Sequence, residues 1–399
     1  MSINYCEKER VFTLQTQNAT YQMIVDSHGY LLHCYYGAKI ERQNLSYCIQ
    51  PQDRGFAANP PDAAGDRTLS PDTLPQEYST FGVGDFRESC LDVRDKNGGV
   101  AADLRYGSYR IYPGKKPLNG LPAAYGNEKD VDTLEIDLRD KVSGLVVTLR
   151  YSVFAQWDVI ARSAEIFNRG TGVLILERAL SCCLDEPVPA SRDILTFYGR
   201  HMGERNLERM PLRHGKFRVD SMRGASSPHY NPFVILCDSA ATETAGNCWA
   251  FSLVYSGNFI AQAEVDQIDT LRFVMGIAPQ NFSWELKPGA SFQAPEVLLC
   301  FSDYGFDALS NRLNGFQMQH LVRGKYRTER CPILVNNWEA TYFDFDEERL
   351  LALAREAKEV GIEMLVLDDG WFGERNDDTT SLGDWFVNRQ KLPDGLAGF

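Results

Sequence analysis

Two short clusters carry the side chains best suited to chemistry. Asn336-Asn337-Trp338-Glu339 follows the apolar run Ile333-Leu334-Val335, and Asp368-Asp369-Gly370-Trp371 follows Glu363-Met364-Leu365-Val366-Leu367. Adjacent carboxylates accept hydrogen bonds from vicinal hydroxyls, and indole faces pack on the C–H face of a pyranose ring. The same residue types allow two other readings: Asp and Asn are good ligands for hard divalent cations, and Asp-Asp-Gly is a common turn. From spacing alone, all three stand. Phosphate is disfavoured, because no glycine-rich loop opens a helix here. A zinc centre is not expected, since the 10 cysteines include no Cys-x-x-Cys pair and the 6 histidines show no ligand spacing.

The elements that must position these clusters form a β-α-β unit. The strand at Ile333–Val335 leads to Asp344-x-x-Glu347, which reads as a capping box. Leu350, Leu353, Ala354 and Ala357 then make one helix face, Gly361 sits at the stop, and Glu363–Leu367 is the second strand. Strands joined through a helix run parallel, and parallel α/β structures bind ligands at the C-terminal ends of their strands, where both clusters lie. Upstream, Phe306, Leu309, Leu313, Phe316 and Leu321 mark an amphipathic helix over 306–322.

The first 300 or so residues read as β. Leu134, Ile136 and Leu138 alternate with charges, as do Leu145, Val147, Leu149, Tyr151 and Val153, and Asp140–Gly144 links them as a hairpin. Further strand-like runs lie at 158–167, 173–183, 233–237, 248–255, 259–265, 271–277 and 296–301, which predicts a large antiparallel sandwich. Residues 51–90 are rich in Pro and Gly without periodicity and read as a long loop, ordered or disordered. The expected domains are residues 1–302, a linker helix region 303–330, and 331–399.

Composition narrows the function classes. With 41 Lys+Arg against 54 Asp+Glu the net charge is −13, which argues against a nucleic-acid binder. No apolar run is long enough for a membrane span, and Met1–Arg10 has no signal-peptide pattern. Scattered cysteines suit reduced thiols packed as small hydrophobes, so a cytoplasmic protein is expected.

At the two clusters the sequence also resembles a family. Asn336 through Phe343, Leu367 through Gly373, Ser381-Leu382-Gly383-Asp384-Trp385 and Lys391-Leu392-Pro393-Asp394-Gly395-Leu396 are similar to the bacterial α-galactosidases of glycoside hydrolase family 36. So are Asp72 through Tyr78, Gly82 through Arg87, Ser226-Ser227, Asn231-Pro232-Phe233 and Tyr255 through Phe259, so the similarity spans essentially the whole chain. The resemblance implies a large β-sandwich (supersandwich) followed by a (β/α)₈ barrel. It implies retaining hydrolysis of terminal α-galactosides of the melibiose and raffinose type, no cofactor, and a tetrameric homo-oligomer. Asp368 and Asp369 match the pair that binds the galactose 4- and 6-hydroxyls, and Trp338 matches an aromatic wall of that pocket. His201 falls where members often place a Trp; an imidazole can still hydrogen-bond a hydroxyl. Asp53 matches a residue lent to a neighbouring subunit's pocket, or is a loop-surface Asp.

The family's nucleophile and acid/base come from later barrel strands, the nucleophile in a Lys-Trp/Tyr-Asp-x-Asn-Arg type motif that does not occur here. Residues 331–399 number 399 − 331 + 1 = 69, against about 250 for a whole barrel. The expectation is therefore an N-terminal portion that holds sugar-binding residues, no catalytic residue and no metal ligand. Asp384 and Asp394, in the loop after the second strand, are expected to support the site's residues or be structural, and not to replace the missing pair. A non-catalytic carbohydrate-binding or interaction module is the alternative from another class, and α-N-acetylgalactosaminide specificity is a variant of the first.

Overall fold

The computed structural model describes residues 2–41, 43–53, 55, 59–63, 65–187 and 192–399. The chain divides into two compact units, Met1–Val322 and Arg323–Phe399.

The first unit opens with a four-stranded antiparallel meander, β1 (Ile3–Cys6), β2 (Val11–Gln15), β3 (Ala19–Val25) and β4 (Leu31–Ala38). The strands that follow are β5 (Leu91–Asp95), β6 (Arg105–Pro113), β7 (Asp132–Arg139), β8 (Leu145–Phe154), β9 (Val159–Asn168), β10 (Leu174–Pro187), β11 (Arg192–Arg200) and β12 (Gly203–Pro211). After them come β13 (Gly215–Ser221), β14 (Tyr230–Asp238), β15 (Cys248–Val254), β16 (Phe259–Val265), β17 (Thr270–Ile277), β18 (Trp284–Leu286), β19 (Ser291–Gln293) and β20 (Glu296–Ser302). A ten-stranded sheet runs β12-β11-β14-β15-β20-β9-β8-β7-β6 with β19 on β9, and a six-stranded sheet runs β13-β16-β17-β10-β18 with β5 on β10. Every named pairing in these sheets is antiparallel. This is the large sandwich expected from the strand pattern.

The β7–β8 hairpin shows why these residues form strands. Leu134 pairs with Tyr151 and Ile136 with Leu149, and all four are fully buried. The other face carries a cross-strand ion ladder in which Arg150 holds Glu135 and Glu165, each at 2.8 Å. Between the strands Asp140 accepts the Val142 N–H at 2.9 Å, and Gly144 takes a positive φ of 75°. The main core joins residues of both large sheets, among them Leu149, Ile166, Leu180, Phe251 and Val274. Helix α1 (Gly305–His320) covers the other face of the ten-stranded sheet with Leu309, Leu313 and Phe316, while Leu321 falls just past its end.

The loop within 51–90 is two things. Its described residues around Asp53 are exposed, whereas residues 69–80 are almost wholly buried. Glu77 reaches into the core, where Arg162 pairs with it at 2.9 Å and the Tyr21 and Tyr151 hydroxyls donate to it at 2.6 and 2.7 Å. His33 Nδ1 lies 3.2 Å from its other oxygen.

The second unit carries β21 (Leu334–Asn336), the short helix α2 (Trp338–Thr341), α3 (Glu347–Glu359), β22 (Met364–Val366) and the short terminal helix α4 (Gly395–Gly398). β21 and β22 pair in parallel, Val335 opposite Leu365, as the β-α-β reading required. The predicted capping box is corrected by two residues. Asp346 is the cap and accepts the Arg349 N–H at 2.9 Å. Asp344 lies outside the helix and holds the Arg349 guanidinium at 2.8 Å. Leu350 and Ala357 are buried on the predicted face, and Leu353 and Ala354 are half-buried beside them.

Candidate functional site

The parallel register of β21 and β22 brings the two clusters side by side at the strands' C-terminal ends. Asn337 is fully buried and stitches them together. Its N–H donates to the Val366 carbonyl at 3.2 Å. Its Oδ1 accepts the Asp368 N–H at 2.8 Å, and its Nδ2 donates to Thr341 Oγ1 at 2.9 Å. Asn336 faces the other way, with Nδ2 donating to Asp368 Oδ2 and Oδ1 accepting the Trp338 N–H at 2.8 Å.

Asp368 and Asp369 are half-buried. Asp368 Oδ1 accepts the Asp369 N–H at 2.8 Å. Asp369 Oδ1 accepts the Gly370 N–H at 2.8 Å and Arg375 Nε at 2.6 Å. The hydrogen bond from Arg375 holds the Asp369 carboxyl below its usual range, against a smaller push from burial. Gly370 has φ 94°, and a Cβ there would meet the Phe343 ring at 3.0 Å, so the turn after the carboxylates needs glycine.

Aromatic rings pack on one another beyond the end of β21. Trp338 is half-buried and sits edge-on to Tyr342 and Phe343, with centroids 5.2 and 4.9 Å away. Lys391 ties the two loops from below. Its ammonium donates to the carbonyls of Phe343 at 2.8 Å, Gly370 at 3.1 Å and Arg375 at 3.4 Å.

The arrangement offers carboxylate acceptors after one strand and an indole after its parallel neighbour, residue types suited to neutral polyhydroxylated ligands. Among the described residues no group of three or more His, Cys, Asp and Glu could hold a metal ion. Asp384 and Asp394 are exposed in the loops that follow.

Of the predicted site residues, the fold brings Asp368, Asp369 and Trp338 together. His201 and Asp53 lie in the first unit. His201 is exposed in the turn between β11 and β12. Asp53 is exposed, pairs with Arg67 at 3.0 Å and accepts the Gly55 N–H at 2.9 Å. Arg375 and Lys391 were missed as site residues. Lys391 opens the Lys391–Leu396 motif, and Arg375 follows Asp369 by six positions, but spacing alone does not show a side chain folding back. A separate groove of about 840 Å³ on the sandwich is lined by apolar side chains such as Phe197, Phe233 and Phe306 among polar ones such as Arg205, Arg209 and Glu243. It holds no comparable carboxylate pair.

Comparison with known proteins fits this geometry. The family model for the glycosyl hydrolase family 36 N-terminal domain matches residues 29–287, and the melibiase model matches residues 291–399. The chain belongs to glycosyl hydrolase family 36. It is 48% identical over 397 residues to the bifunctional alpha-galactosidase/sucrose kinase AgaSK of Mediterraneibacter gnavus, covering 100% of this chain and 42% of that protein. It is 48% identical over 399 residues to alpha-galactosidase AgaA of Geobacillus stearothermophilus, covering 100% of this chain and 54% of that protein. Among solved structures, the galactosidase domain of AgaSK superposes with a TM-score of 0.96 at 47% identity, covering 99% of this chain and 55% of that one. A doubly substituted variant of AgaA from Geobacillus stearothermophilus, in complex with raffinose, superposes with a TM-score of 0.93 at 48% identity, covering 97% of this chain and 54% of that one. The chain spans about half the length of the curated relatives it matches.

Proposed function

We propose that this chain supplies the N-terminal sandwich and the galactose-binding part of a retaining α-galactosidase. Its substrates are oligosaccharides with terminal α-galactosyl groups of the raffinose and melibiose type. The observation that carries the reading is the Asp368–Asp369 pair, clamped beside Trp338 at the ends of two parallel strands. The solved complexes of AgaA variants with raffinose and stachyose support the substrate class.

In this reading Asp368 and Asp369 accept hydrogen bonds from the galactose 4- and 6-hydroxyls, and Trp338 packs on the ring. Residues 1–302 are the sandwich, 303–330 the link and 331–399 the opening of the barrel. His201 on the β11–β12 turn and Asp53 on its exposed loop contribute from the sandwich, Asp53 to a neighbouring subunit of a tetramer. The protein works in the cytoplasm. Hydrolysis with retention needs a carboxylate nucleophile and an acid/base about 5–5.5 Å apart. Both belong to later barrel strands than the two described here, where the nucleophile forms a covalent glycosyl-enzyme that water then cleaves.

Calorimetric titration with galactose, beside an aryl α-galactoside assay on the same sample, tests this. The 399-residue chain is expected to bind galactose, to lose binding in Asp368→Ala and Asp369→Ala, and to turn over no aryl galactoside. Equal binding by both variants would sink the assignment of the pair. Turnover that tracks pure protein and vanishes in Asp368→Ala would sink the placement of the catalytic carboxylates.

A further inference from the structure

The two carboxylates are held by different means. Among the described residues Asp368 is clamped by neutral donors only, the Asn336 amide and the Asp369 N–H. Asp369 is clamped by a charge. Arg375 is 6% exposed. Its Nε donates to Asp369 Oδ1 at 2.6 Å while its Nη1 donates to the Thr380 carbonyl at 2.6 Å. The guanidinium lies 5.7 Å from the Phe343 ring centroid and 5.9 Å from that of Phe372. The Arg375 carbonyl is in turn gripped by Lys391. With the Gly370 N–H, Oδ1 of Asp369 takes two donors; among the described residues Oδ2 takes none.

We infer that Arg375 is a positioning residue for galactose recognition: it saturates one oxygen of Asp369 and leaves the other as the acceptor for a sugar hydroxyl. The inference deepens the galactoside reading and rests on it. A planar guanidinium holds a carboxylate and a carbonyl through donors fixed in one rigid fork, whereas the donors of a lysine ammonium rotate on a flexible stem. The direction of the free oxygen is thereby set before the sugar arrives, so little ordering cost remains at binding.

The charged groups around Asp369 are Arg375, Lys391 from the following loop, and Asp368 beside it, with Asp377 and Asp378 acting on Arg375. Of these, Arg375 contributes most to keeping Asp369 ionised. Binding that needs Asp369 as an acceptor fails as the pH drops through its pKa. Loss of Arg375 raises that pKa and moves the acid limit of binding upward.

The test uses the 399-residue chain with ¹³C-carboxyl-labelled aspartate, Asp369→Asn identifying the Asp369 signal. Arg375→Met and Arg375→Lys are compared with the parent by NMR titration and by galactose calorimetry, with near-ultraviolet circular dichroism reporting the fold. Arg375→Met is expected to raise the Asp369 pKa and to weaken galactose affinity by about 10-fold at neutral pH, and by more in acid. Arg375→Lys is expected to restore much of the pKa but not the affinity. An Asp369 titration unmoved in Arg375→Met, or galactose affinity equal to the parent in both variants, overturns the inference. If Arg375→Met does not fold, affinity in Arg375→Lys equal to the parent does the same. If the parent binds no galactose, the galactoside reading fails separately, and the NMR titration still decides whether Arg375 sets the state of Asp369.

Discussion

Arg162 and Glu77 are both fully buried and pair at 2.9 Å. Burial alone would push the Glu77 carboxyl up, but Arg162, His33 and the Tyr21 hydroxyl bring it below its usual range. Arg162 also donates to the Cys183 carbonyl at 2.6 Å, so it ties the buried loop to β10. Arg162→Met leaves a carboxylate in the core without its cation and is expected to lower stability by about 3–5 kcal/mol. Urea unfolding of the single variant and of Arg162→Met/Glu77→Leu checks this, with part of the loss returning in the double variant. Asp368 and Asp369 follow the opposite logic. They stay half-exposed, and their partners leave acceptor capacity open. The pair was legible in the sequence because residue type and strand-end position are local. Arg375 was not, because only the folded loop shows which oxygen it takes.

At the scale of elements, the helix between the site strands starts at a side-chain cap. Asp346 satisfies one of the free N–H groups of the first turn, and Glu347 and Glu348 add negative charge there. Asp346→Ala is expected to cost about 1 kcal/mol, read as a lower midpoint in thermal unfolding of residues 323–399 followed by hydrogen exchange. The sequence pattern pointed to Asp344, since Asp-x-x-Glu fits that start as well. Arg349 decided the matter: its N–H takes Asp346 and its guanidinium takes Asp344. The β7–β8 hairpin was readable from the alternation along both strands and the Asp140–Gly144 link, because a one-residue slip would turn the apolar face outward. The outer strand β12, exposed along most of its length, has no such signal.

At the scale of the whole molecule, the sandwich is held by apolar burial and by charges that bridge its pieces. Glu88, on the loop before β5, contacts Arg178 on β10 and Lys216 on β13, the latter at 2.7 Å. Burial opposes its charge, but Lys216 and Arg178 outweigh burial and bring its pKa down to about 2. A folded-state pKa below the unfolded value of about 4.3 means the contribution is present in full above that value and is lost as the pH falls toward 2. Glu88→Gln is therefore expected to be less stable than the parent at neutral pH and to show a flatter decline in acid. Chemical unfolding at a series of pH values measures both, and equal acid slopes would refute the assignment.

Strand alternation and local patterns by themselves determined the sandwich, the parallel β-α-β unit and the carboxylate pair at the strand ends, because periodicity and turn chemistry are rules any fold must respect; the family rested on the resemblance of the motifs. Tertiary structure decided that Glu77 and residues 69–80 belong to the core, that Asp346 caps the helix, and that Arg375 and Lys391 hold the site's loops. Each of those outcomes depends on which donor reaches a given acceptor once the chain is folded, and that competition has no signature along the sequence.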